Sequence, residues 1–154
     1  MIHNFSLDSA AQTADLAGRI GPHLQAGDVV LLSGGIGAGK THFARSLIQA
    51  LQTPLGLVED IPSPTFTLVQ TYPLGNVEIW HADLYRIGSV DEIFELGLVD
   101  AFENNISLVE WPDRLGSDTP SRHLALEFRQ GKSENCRNLK ITAKGDGWEW
   151  LKNV

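Results

Sequence analysis

The stretch SGGIGAGKTHF, Ser33 to Phe43, constrains this chain more than any other segment. Gly34, Gly35, Gly37 and Gly39 fall within six positions, a density that neither a helix nor a regular strand tolerates. The flanks differ sharply from the loop. Before it, GDVVLLS carries the apolar run Val29 to Leu32, which reads as a buried strand. After it, Phe43, Leu47, Ile48 and Leu51 recur at helical spacing until QTP stops the pattern. Strand, glycine loop and helix in that order aim backbone N–H groups and a helix dipole at one point, which suits an anion. The spacing from Gly34 to Gly39-Lys40-Thr41 fits the P-loop form G-x-x-x-x-G-K-[ST]. Gly35, Ile36, Gly37, Ala38 and Gly39 then supply the cradle for a polyphosphate, continued by His42 through its backbone. Lys40 is placed to reach the β- and γ-phosphates, and Thr41 to offer a hydroxyl to Mg²⁺.

At 154 residues the chain is expected to form one domain, 1–154, with a single core. Apolar residues at 42% leave ample material for it. The opening MIHNFSLDSA lacks the apolar stretch of a secretory signal, and no apolar run approaches membrane-spanning length. With Cys136 as the sole cysteine, no intramolecular disulfide can form, and the expectation is a cytoplasmic protein. His3, His23, His42, His81 and His123 have no metal-ligand spacing, so no structural metal is expected. Charge is uneven. Residues 55–113 hold eleven acids and one base, Arg86, while residues 114–154 hold five acids and eight bases. An acidic middle disfavours unaided capture of a nucleic-acid backbone and suits a cation site or a basic partner. A merely solvated acidic surface is the other reading.

Local patterns place the remaining elements. Asp8 or Ser9 caps a helix running to about His23, with Leu16, Ile20 and Leu24 as its apolar stripe. Thr53 to Pro64 is Pro-rich and reads as an exposed loop. Two strands flank the turn Pro73 to Asn76. A short helix follows, capped by Ser89 and ended by Gly97. Ile106 to Glu110 is a buried strand, and HLALEFRQ with RNLKITAKG forms a late antiparallel hairpin. Strands so close in sequence cannot all be parallel. The expected fold class is α/β: a P-loop NTPase-like mixed β-sheet flanked by helices.

A P-loop needs a carboxylate to hold Mg²⁺ or its waters, and two strand ends offer one. Glu110 closes an apolar run, as in a Walker B element, and is favoured as the metal-side acid over a strand-end surface role. Asp83 is a second acid, either facing the same site or pairing with Arg86. Thr65 in the Pro-rich loop completes a Mg²⁺ shell in switch-type NTPases, or is an ordinary turn residue. Trp111 is a partly buried anchor or a nucleotide contact. Lys40, Asp83 and Glu110 are the candidate catalytic residues; Thr41, Glu110 and Thr65 are the candidate metal ligands. No N-K-x-D stretch occurs, which favours adenine over guanine.

GGIGAGKT, SPTF, HADLYR and LVEWPDR, in this order and spacing, together resemble the bacterial TsaE (YjeE) family, across nearly the whole chain from QTADLAGRI to the last strand. That family comprises small P-loop ATPases required for making threonylcarbamoyladenosine in transfer RNA. The family usually has an acid at Gly35, a threonine at His42 and a Glu near Asp113. The resemblance implies ATP and Mg²⁺ as cofactors, and TsaD with TsaB as partners that perform the modification. Transfer RNA would then be met only through that complex, with no membrane involved. It carries Lys40 and Thr41 over as phosphate and Mg²⁺ ligands, Glu110 as a Mg²⁺ or water-positioning acid, and Asp83 and Thr65 as active-site residues. Thr13 and Arg137 match positions near the adenine. Two other functions fit a P-loop: a small-molecule kinase, and a nucleotide-sensing module with negligible turnover. A kinase needs arginines in a lid, and between the P-loop helix and Glu110 there is only Arg86.

Overall fold

The computed structural model of the protein describes residues 1–57 and 59–154. One seven-stranded sheet organises the chain: β1 (Ile2–Leu7), β2 (Val29–Gly34), β3 (Val69–Leu74), β4 (Val77–Asp83), β5 (Ile106–Glu110), β6 (His123–Gln130) and β7 (Arg137–Lys144). Their order across the sheet is β1-β7-β6-β2-β5-β4-β3. The centre, β6-β2-β5-β4, is parallel, and both margins are antiparallel. The mixed α/β sheet expected from the sequence is the fold observed, including its late hairpin.

Helices α1 (Ala10–Ile20) and α2 (Lys40–Gln52) cover one face. Their apolar stripes join Val30, Leu32, Ile79, Leu108, Leu126 and Ile141 in the larger core. Helices α3 (Val90–Glu95) and α4 (Leu98–Asn104) cover the other face at Val29, Leu31, Ala82 and Val109. The strand period of two sorts the side chains of β2 between these layers. Ser9 caps α1, accepting a hydrogen bond from Gln12 N–H at 3.2 Å, while the Gln12 amide oxygen accepts from Asp8 N–H.

Several local expectations need correction. The chain opens with β1, not with the helix: Ile2–Leu7 finds its partner in β7, more than a hundred residues away. α1 ends at Ile20, because Pro22 tightens Gly21–His23 into a 3₁₀ turn. The expected loop Thr53 to Pro64 begins as another 3₁₀ turn, Thr53–Leu55; its Val58 lies outside the described residues. Pro73 and Leu74 belong to β3, so the turn is confined to Gly75 and Asn76. Proline is tolerated there because β3 is the sheet margin. Ser89 occupies the N-cap of α3 but makes no capping bond; Glu92 accepts from Gly88 N–H instead. Gly97, at φ +80°, ends α3 and also starts the unforeseen α4.

β2 passes so near β6 that its last residue must be glycine. A Cβ on Gly34, whose φ is +144°, would lie 2.6 Å from the Phe128 carbonyl oxygen. Gly34→Ala is therefore expected to cost about 2 kcal/mol or more in stability. Urea unfolding measures this, and an unchanged midpoint would contradict the close packing of β2 on β6.

Candidate nucleotide site

The parallel register builds the site from the strand ends. Glu110 stands opposite Leu32 on one side and Asp83 on the other. Alternation then decides direction: Ile79, Ile106 and Leu108 face α2, so His81, Asp83 and Glu110, at even steps from them, lie in the same layer. Between β2 and α2 the P-loop turns with positive φ at Gly37 (77°) and Gly39 (111°), the latter serving as the N-cap of α2. Ligands of open α/β sheets occupy this edge, outside the carboxyl ends of the strands.

Here a cleft of about 400 Å³ opens, lined by Ile36, Gly37, Gly39, Lys40, Thr41, His42, Thr65, Asp83, Tyr85, Glu110 and Trp111. Thr41 Oγ1 donates to Glu110 Oε1 at 2.8 Å, joining the P-loop helix to β5. Glu110 is buried, 2% exposed, and its Oε2 lies 2.7 Å from His81 Nε2. Asp83 accepts from Thr65 Oγ1 at 3.1 Å and from Tyr85 N–H at 2.9 Å. Hydroxyl and carboxylate oxygens so arranged fit a hard cation such as Mg²⁺. No cluster of three or more His, Cys, Asp or Glu stands ready to bind a metal among the described residues. Such a cation would therefore also need oxygens from phosphate and water.

Lys40 lies 5% exposed under the loop. Its ammonium donates to the carbonyl oxygens of Gly34 (2.7 Å) and Gly35 (2.8 Å), and sits 4.2 Å from the Trp111 ring centre. Trp111 holds a left-handed backbone, φ 58° and ψ 55°. That conformation costs a non-glycine residue roughly 1–2 kcal/mol. Its ring packs on Tyr85, 4.9 Å between centres, so the strained backbone places an aromatic wall beside Lys40. Burial pushes the Lys40 ammonium below the ordinary value of 10.5, while Glu110 and Asp83 pull it partly back up.

Other residues singled out from the sequence divide between the cleft and its surroundings. Thr13 is buried in α1 with its hydroxyl 3.4 Å from the Ser9 carbonyl, and does not line the cleft. Arg137 is outside the lining and donates to the loop itself, to the carbonyls of Ala38 (3.0 Å) and Gly37 (3.1 Å), and also to those of Glu134 and Cys136. Gly35 and Ala38 are in the loop but outside the lining. Arg86 is not held by Asp83: it reaches the Thr65 carbonyl at 3.5 Å and stacks near the Phe66 ring at 5.7 Å. His42 lines the cleft and ties α2 to α1 through the Ala10 carbonyl at 2.9 Å. Two members were missed. Tyr85 and His81 both lie in the stretch HADLYR, and His81 gave a second signal: Ile79, His81 and Asp83 share one strand face.

A family model described as threonylcarbamoyl adenosine biosynthesis protein TsaE matches residues 7–139. The chain belongs to the TsaE family. A Rickettsia conorii protein named tRNA threonylcarbamoyladenosine biosynthesis protein TsaE is 44% identical over 108 residues, covering 70% of this chain and 60% of that protein. This chain thus spans about three fifths of that relative's length. TsaE proteins so named from Treponema pallidum and Bacillus subtilis are 34% and 33% identical, covering 79% and 81% of this chain and 87% and 75% of theirs. Among solved structures, the crystal structure of Bacillus subtilis YdiB superposes with a TM-score of 0.77, at 25% identity, over 99% of this chain and 93% of that one.

The lowered Lys40 value has a consequence for stability in this TsaE chain. The folded chain releases this proton at a lower pH than the unfolded chain does. Between the folded value and 10.5 the unfolded chain binds more protons, so stability rises with pH across that window. Lys40→Met should remove this increment. Urea midpoints of both proteins at pH 8 and pH 10 test it; an identical pH response in the two would contradict a desolvated ammonium.

Proposed function

We propose that this chain is the ATP-binding and ATP-hydrolysing component of tRNA threonylcarbamoyladenosine biosynthesis, acting in the cytoplasm with TsaD and TsaB and meeting tRNA only through them. The observation that carries the nucleotide reading is the Thr41–Glu110 hydrogen bond of 2.8 Å at the mouth of the P-loop. It unites the two oxygen ligands such chemistry requires. Membership of the TsaE family supplies the biosynthetic setting. The whole chain, residues 1–154, would act as one nucleotide-binding domain.

In this reading the loop N–H groups from Gly35 to His42 cradle the phosphates. Lys40 exchanges its carbonyl partners for the β- and γ-oxygens, gaining charge-assisted bonds to anionic oxygens in place of neutral ones. Thr41, Glu110 and Thr65 would hold Mg²⁺, which when bound supplies positive charge against the phosphate oxygens. Asp83 keeps Thr65 turned toward the cleft through the 3.1 Å bond and orients water there. Trp111 and Tyr85 form an apolar wall that limits solvent beside Lys40. Hydrolysis delivers the phosphoryl group to water, giving ADP and phosphate.

Glu110→Gln should keep the fold and much of the nucleotide affinity while lowering Mg²⁺-dependent hydrolysis about 100-fold, the scale of losing one electrostatic contact made chiefly where charge develops. Parallel assays of Asp83→Asn rank the two acids. Silence at Glu110 with a large loss at Asp83 would exchange their roles.

Turnover by the chain alone should be slow. Among the described residues that line the cleft, Lys40 is the one lysine and no arginine is present. An arginine supplied in trans is worth about 10³–10⁵ in rate where it operates. The deciding experiment follows γ-labelled ATP with the chain alone, with TsaD–TsaB, and with candidate small metabolites. Label released as phosphate, faster with the pair and with more modified tRNA, is the expected result. Rapid transfer of label to a metabolite without partners would establish a kinase.

A further inference from the structure

His81 is fully buried, 0% exposed, in the layer under the cleft, and it does not line the cleft itself. Its Nε2 lies 2.7 Å from Glu110 Oε2. Its Nδ1 is buried without a hydrogen-bond partner among the described residues. A carboxylate oxygen can only accept, so the imidazole proton in this contact sits on Nε2. Glu110 is consequently gripped at both oxygens: Oε1 by the Thr41 hydroxyl and Oε2 by His81.

The placement is costly for a residue that merely fills space. A buried ring nitrogen without a partner is destabilising, and an apolar side chain of similar volume would avoid that loss. The neighbours of His81 on the same face indicate what packing alone prefers: Ile79 on its own strand and Leu108, its register partner on β5, are both apolar and buried. What an apolar side chain would lack is the donor to Glu110. Without it, a carboxylate 2% exposed keeps one hydrogen bond and can rotate about its terminal torsion, which is broad for Glu.

We propose that His81 is a positioning residue for Mg²⁺: its Nε2–H fixes the plane and direction of the Glu110 carboxylate so that Oε1 remains beside the Thr41 hydroxyl, where the cation is received. This rests on the reading of Thr41 and Glu110 as the metal-side pair. Donors one step behind a ligating carboxylate set its orientation, and their loss costs about 10–100-fold in metal affinity or activity. His81 touches neither nucleotide nor cation and acts only through Glu110.

Three variants separate positioning from packing. His81→Leu keeps bulk and removes the donor. His81→Gln can present an amide N–H near the Nε2 position. His81→Asn places its amide nearer Nδ1, out of reach of Glu110. Affinity for ADP is measured by calorimetry in EDTA and across a Mg²⁺ titration. In His81→Leu and His81→Asn the Mg²⁺ concentration at half effect should rise about tenfold or more, with affinity in EDTA changed by less than about twofold. His81→Gln should recover most of the Mg²⁺ response. The proposal is overturned if the folded Leu and Asn variants keep the wild-type Mg²⁺ midpoint, or if affinity falls equally with and without Mg²⁺. It is also overturned if Gln behaves as Leu does. If Leu does not fold, the contrast between Gln and Asn decides between the same two outcomes. Wild-type protein that binds ADP without any response to Mg²⁺ would remove the metal-side reading itself, whereas a normal wild-type response with indifferent variants removes only the role of His81.

Discussion

The parallel pairing of β2 with β5, and of β5 with β4, is the constraint on which the rest depends. It brings Leu32, Glu110 and Asp83 to one level at the carboxyl edge of the sheet. The chain leaving β2 there must turn without side-chain bulk, and Gly34 touches β6 closely enough that no Cβ fits. α2 then begins at Lys40, one residue before the threonine that meets Glu110. Fixing three strand ends by backbone hydrogen bonds places an acid pair and a hydroxyl within reach of each other. The precision of the site is thus inherited from the sheet, and loops supply only the covering residues.

Electrostatics explains why so many contacts crowd this edge. Glu110, Asp83, Lys40 and His81 are all buried or nearly so, and a buried charge is tolerated only when partnered. The carboxylates take hydroxyl, imidazole and backbone donors; Lys40 takes two carbonyl oxygens and the face of Trp111. These are neutral partners for charged groups. A polyphosphate with its cation would offer Lys40 and the carboxylates charged partners instead. Arg137 contributes by holding the carbonyls of Gly37 and Ala38, which fixes the course of the loop backbone.

What the sequence disclosed follows from the range of each interaction. The P-loop, α2 and the run to Glu110 are specified by residues next to one another, and their periodicity is readable directly. The cap at Ser9 is equally local. β1 is different: IHNFSL becomes a strand only by pairing with β7 across the length of the chain. α4 was hidden because Gly97 reads as a stop, whereas its left-handed backbone serves two helices at once. Thr13 and Arg137 illustrate the same limit for side chains. A family match identifies the position, but direction is set by packing, which turns one into α1 and ties the other to the back of the loop. His81 was legible by strand alternation; its scattered company among five histidines concealed it.

The lining of the cleft also bears on which P-loop chemistry is favoured. A kinase must neutralise and orient a second substrate as well as the phosphates, and small metabolites commonly demand cationic groups for that purpose. Here the acids dominate: Asp83 and Glu110 face Lys40. Arg86 is exposed and engaged with Thr65 and Phe66, outside the lining. Ile36, in the lining, and Phe66, next to Thr65 in the chain, present apolar surface to solvent, 83% and 84% exposed. The cleft thus has a polar floor of Lys40, Thr41, Asp83 and Glu110, and no arginine among the described residues that line it. If the cleft holds a nucleotide as proposed, charge developing at the phosphoryl group meets one lysine there and no guanidinium from the described lining. Under the function proposed above, such a lining suits phosphoryl transfer to water better than to a second small substrate that the same cleft must also hold.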